Sequence, residues 1–79
     1  ISAKILLDYL VDYFELKLTE EQTKRTKILL SLRVKNKISV AEIQKGFDMP
    51  VREGGSGLDK RTAEKMAREI EIIMLLTYG

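Results

Sequence analysis

The chain has 79 residues, 44% of them hydrophobic and 33% charged, with a formal net charge of +2 and neither cysteine nor histidine. That length allows a single domain, and the balance is that of a folded domain rather than a disordered tail. Without cysteine or histidine there is no disulfide, no thiol nucleophile, no imidazole base and none of the common zinc constellations, so neither enzymatic chemistry nor a cofactor or metal is expected. The apolar runs at 5–7, 9–11 and 70–76 fall short of the roughly 20 residues that cross a bilayer. No leader pattern opens the chain. These features predict a cytoplasmic, nucleoid or nuclear protein that is neither secreted nor membrane-bound. The first residue is Ile rather than Met, which marks a fragment, a processed chain or the ordered part of a longer one.

Ser2 is placed to cap a helix through "AKILLDYLVDYFEL", in which Ile5, Leu6, Tyr9, Leu10, Tyr13 and Phe14 recur at spacings of three and four. Leu7 and Val11 lie off that stripe, which predicts a second covered side, supplied by the domain itself or by a partner chain. The next start signal is Thr19 with Gln22 three residues later, a capping box. Glu20 and Glu21 then fall in the first turn, and Arg33, Lys35 and Lys37 gather at the far end, an order that suits the helix dipole. Ile28, Leu29, Leu32 and the stem of Arg25 are the expected inward positions of this helix.

Ser39 and Glu42 repeat the capping box before a short helix from Val40 to about Phe47, with Val40, Ile43 and Phe47 as its buried candidates. Gly46 loosens the last turn, Asp48 takes the corner, and Pro50 forbids continuation. The segment "VREGGSG" that follows reads as a flexible Gly/Ser link at about 52–57, native or engineered. Asp59 caps the last helix, "KRTAEKMAREIEIIMLL", whose inward stripe is Ala63, Met66, Ala67, Ile70, Ile73 and Met74. Lys60, Arg61, Glu64, Lys65 and Arg68 stay outside. After Glu71 the helix is almost wholly apolar, so its end requires cover from tertiary or subunit contacts. The expectation is one all-α domain over 1–79, a small bundle of about four helices.

The run "RTKILLSLRVKNKISVAEIQKGFDMP" resembles the arsenic-type repressors and related winged-helix regulators at Arg25, Ile28, Leu29, Ser39, Val40, Glu42, Ile43, Phe47, Met49 and Pro50. "SVAEIQKGFDM" followed by "KRTAEKMAREIE" is similar to the DNA-reading gamma domain of the bacterial chromosome translocases, at Gln44, Lys45, Phe47, Arg61, Ala63 and Met66. Both resemblances imply a helix-turn-helix corner. No β-wing can be written after Tyr78 and Gly79, so a wingless, all-helical variant is what they imply here. "ILLSLRVKNKISVAEIQKGFD" is also similar to the closing helical hairpin of the interaction domain of eukaryotic translation-initiation scaffolds, with Leu29, Leu32, Ile38, Val40, Ile43, Gly46 and Phe47 as core.

Two motifs fail on charge and context. An EF-hand register ending on Glu42 puts Arg33 and Lys35 among the first ligand positions, which repels calcium. "GGSGLDKR" sets amides before a helix, but Asp59 adds negative charge there, Arg61 stands where a phosphate loop needs Ser or Thr, and no strand precedes it.

Two functions follow. The first is a DNA-binding helix-turn-helix module of a transcriptional regulator, in which residues 39–47 support a recognition helix over 60–71. Arg61, Lys65 and Arg68 then face the groove, Thr62 or Glu64 reaches base edges, Lys60 lies near a phosphate, and Lys24, Lys35, Lys37 and Lys45 touch the backbone. The alternative is a helical protein-interaction or oligomerisation domain, a homodimer or a partner's dock, that uses the apolar segments 1–14 and 70–78.

Overall fold

Helix starts in this chain coincide with side chains that accept the amides a first turn leaves unpaired. The computed structural model describes residues 2–78, the side chain of Tyr78 excepted. The Ser2 hydroxyl accepts from the Ile5 amide at 3.2 Å and opens α1, Ala3–Tyr13. Thr19 and Gln22 close a full capping box, with bonds of 3.1 and 2.9 Å, at the start of α2, Glu20–Val34. Ser39 and Glu42 do the same, at 3.1 and 2.8 Å, for α3, Val40–Asp48. The Asp59 carboxylate accepts from the Thr62 amide at 3.0 Å and opens α4, Lys60–Tyr78. Bonds from Ser39 hold the Glu42 carboxyl below its ordinary range, and bonds from Thr62 do the same for Asp59.

Left-handed residues end α1 and α2: Glu15 at φ 53° and Asn36 at φ 59°. Each turn is closed by an amide reaching back five residues, Leu16 to the Val11 carbonyl at 2.9 Å and Lys37 to that of Leu32 at 2.8 Å.

The architecture is an all-α bundle of four helices with one 3₁₀ turn, Val51–Glu53, and no strand among the described residues. Successive helices pack on one another, α1 on α2, α2 on α3 and α3 on α4. The core is Leu6, Leu7 and Leu10 from α1, Leu30 from α2, Ile43 and Phe47 from α3, and Ala63, Met66, Ala67 and Ile70 from α4. The inward stripe of α4 is therefore as the spacing predicts, with Ile73 and Met74 partly buried at its edge.

Three faces differ from expectation. In α1, Leu7 is buried and Val11 half-buried, while Ile5, Tyr9 and Tyr13 are exposed, so the helix is rotated toward α2. In α2, Thr26 and Leu30 point inward and Ile28 is 53% exposed. Val40 likewise stays exposed at the start of α3. All three stripes were continuous enough in sequence that only the neighbours could choose the buried side.

The expected flexible link at 52–57 is instead a wound turn with Gly55 and Ser56 buried, because its amides satisfy the carbonyls that the end of α3 leaves open. Ser56 donates to the Gly46 carbonyl at 3.1 Å, Leu58 to Phe47 at 2.9 Å, Gly57 to Met49 at 2.9 Å and Gly55 to Pro50 at 3.1 Å. Gly55 has no room for a side chain, since a Cβ there would lie 2.2 Å from the Met49 carbonyl oxygen. From α2, the Gln22 amide donates to the Ser56 carbonyl at 3.0 Å. The hydroxyls of Thr26 and Ser56, both buried, lie 2.8 Å apart. Thr26 gives its proton to the Gln22 carbonyl at 2.7 Å, which leaves the Ser56 hydroxyl as donor to Thr26. The corner between α3 and α4 is thus held from three sides. Gly46 makes the α2–α3 approach close: a Cβ there would meet Leu29 Cδ2 at 2.8 Å.

Candidate nucleic-acid interface

Arg61, Lys65 and Arg68 follow one another along α4 at spacings of four and three, opposite the buried Ala63, Met66, Ala67 and Ile70. They form one solvent-facing stripe, and all three are exposed. Among the described residues none of them, nor Lys60, has an ion-pair partner.

Two acids of the same helix are engaged elsewhere. Glu69 accepts from the Tyr9 hydroxyl at 3.1 Å, which ties α1 to α4. Desolvation first, then that bond to a carboxylate, raises the Tyr9 pKa. Glu71 takes a two-pronged contact from Arg33, with Nε and Nη2 each 2.8 Å from a carboxylate oxygen. Arg33 Nη1 also donates to Asn36 at 3.0 Å. Glu64, exposed beside the stripe, pairs with none of its cations among the described residues.

On the flank toward α3, Lys60 and Lys45 line a groove of about 270 Å³ with Ala41, Gln44, Asp48 and Ala63. The end of α3 and the start of α4 therefore present Lys45 and Lys60 together. On the other flank, Lys65 and Arg68 share a shallow surface with Tyr13, Phe14 and Glu69.

The remaining predicted contacts are not on the stripe itself. Thr62 is half-buried, about a quarter turn of helix from the cation stripe and on the side of α1. Lys24 is on the exposed side of α2, which packs against α1 and α3. Lys35 and Lys37 follow Arg33, whose partner Glu71 is about one turn beyond Arg68 on α4. Gln22, Thr26 and Ser56, which clamp the corner beneath α4, carried no signal as a group because they lie 30 residues and more apart from α2 to the turn.

Neither a family model nor a curated protein nor a solved structure matches the chain. No helix among the described residues is long and apolar enough to cross a membrane.

Proposed function

We propose that the chain is a DNA-binding helix-turn-helix module of the kind that serves transcriptional regulators. The observation that carries this reading is the stripe of three exposed cations on α4, unpaired among the described residues, beside a corner that six hydrogen bonds to residues 55–58 hold in place. In this reading α3 is the support and the first half of α4 enters the major groove. Arg61, Lys65 and Arg68 reach base edges and phosphates, Lys60 and Lys45 contact the backbone at the groove's edge, and Glu64 stands beside them. Lys24, Lys35, Lys37 and Thr62 have no part in the contact face. Changing Arg61, Lys65 and Arg68 to Glu should lower duplex affinity by at least about 100-fold in moderate salt, with the helical circular-dichroism signal intact. Unchanged affinity in a folded triple variant overturns the proposal.

A second reading, the helical interaction or oligomerisation module, is favoured by one observation. Ile5 of α1 is 62% exposed, and Leu75 and Leu76 of α4 are 71% and 84% exposed, apolar area that the described residues leave uncovered. Ile1 and the side chain of Tyr78 lie outside the described residues. An apolar contact there tolerates or strengthens with salt, whereas phosphate contacts weaken steeply.

A further inference from the structure

The Tyr9–Glu69 bond, with Tyr13 and Phe14 beside Lys65, Arg68 and Glu69, orders the contacts of α1 and α4 in opposite chain directions. One turn before Tyr9 and one turn beyond Glu69, Ile5 therefore comes level with Ile72 and Ile73. The exposed side of this helix pair has a regular make-up. Its apolar end is Ile5, Ile72, Leu75 and Leu76. Beyond it lie Asp8 and Asp12 on the side of α1 toward α2, and Arg61, Lys65 and Arg68 along α4, all exposed. Among the described residues Asp12 has no ion-pair partner, and Asp8 has only Lys4, at 3.5 Å on the open surface.

We propose that this face docks a second copy of the chain. The charge pattern selects the two-fold axis. An axis parallel to the helices lays the α1 of each copy on the α4 of the other at the same level. The acidic edge then meets the basic edge twice, and Ile5 and Tyr9 cover Ile72 and Leu76 of the other copy. An axis across the helices would exchange the ends and lay the charged end of each copy on the apolar end of the other. The product is an antiparallel four-helix layer at the centre of a dimer, which covers the apolar end of α4 that the single chain leaves open. The same axis hides Lys65 and Arg68. If the α4 stripe reads duplex DNA, self-association and duplex binding exclude one another; this competition rests on the DNA-binding proposal, whereas the dimer does not.

Sedimentation without nucleic acid tests the dimer. The expected result is a concentration-dependent species of twice the 9.1 kDa chain mass. Changing Leu76 to Glu should abolish it while leaving the thermal midpoint of the dilute, monomeric chain in place, since that side chain is 84% exposed in the single chain. Asp8→Lys with Asp12→Lys should weaken it at least tenfold, as should Lys65→Asp with Arg68→Asp, and the four changes combined in one chain should restore it. A chain that stays monomeric at millimolar concentration overturns the dimer, as does self-association that either one-sided exchange leaves unchanged. Added duplex should convert dimer into monomer–duplex complex. Duplex binding undiminished by dimerisation removes the competition alone, and a wild-type chain that dimerises without binding duplex removes only the DNA-binding reading.

Discussion

Replacing Gly55 by Ala should cost this domain a large part of its stability. The added methyl would lie 2.2 Å from the Met49 carbonyl oxygen, 2.6 Å from that of Gly46 and 2.5 Å from Met49 Cβ. Two of the three obstacles are backbone, and both carbonyls are already accepting from this turn, from Gly57 at 2.9 Å and Ser56 at 3.1 Å. Relief therefore requires the turn to leave α3. That movement gives up three to four buried hydrogen bonds at about 1 kcal/mol each, a loss of about 3–4 kcal/mol. Against a total stability of about 5–15 kcal/mol, the midpoint of thermal unfolding should fall by about 12 °C or more. Gly54 provides the contrast: it has φ 93° but nothing within 4 Å of a Cβ, so Gly54→Ala should cost only about 1 kcal/mol of backbone strain. Chemical denaturation of both variants gives the comparison. A Gly55→Ala protein within 1 kcal/mol of the parent would show that the turn is the slack link its composition suggests, and the fixed seat of α4 would be lost with it.

Thr26→Val should destabilise the domain by about 1–3 kcal/mol, because the buried Ser56 hydroxyl loses its acceptor. The double variant with Ser56→Ala should recover part of that cost in a denaturation cycle; additive losses would contradict the pairing. Stability should also decline in acid. Glu42 and Asp59 have folded pKa values held below their unfolded ones by cap bonds, so the stability they contribute is complete above the unfolded carboxylate range, about pH 4, and is lost as pH falls through the lower folded values. Glu42→Gln should flatten that acid limb in a pH series of unfolding curves, and an unchanged limb would dissociate the cap from it.

Much of the fold was legible because helix starts are local chemistry. Ser2, Thr19, Ser39 and Asp59 each identify a cap within three residues of its partner, and the Pro50 stop needs no tertiary knowledge. The α4 core stripe was legible too, since Ala63, Met66, Ala67 and Ile70 face a row of charges that leaves only one side to bury. The other helices carry apolar residues around more of their circumference, and there the packing partner decides: α2 draws Leu7 inward and leaves Ile5 and Tyr13 outside. The turn at 54–58 was misread for a different reason. Glycine looks the same in sequence whether it serves freedom, a left-handed φ as at Gly57, or an approach too tight for a methyl as at Gly55. At the candidate interface, the spacing of Arg61, Lys65 and Arg68 suffices to place them together, whereas Lys24, Lys35 and Lys37 share only their charge with that stripe and belong to α2 and the turn after it.

The most direct measurement is the salt dependence of binding to a labelled duplex, followed by fluorescence anisotropy, for the parent and for a variant with Arg61, Lys65 and Arg68 changed to Gln. With Lys45 and Lys60 completing the cationic face, the parent's log affinity should fall against log salt with a slope of about −3 to −5, and the variant's slope should be shallower by up to about 3. A duplex affinity indifferent to salt, or the same slope in both proteins, would contradict the assignment of α4 as the DNA-binding helix.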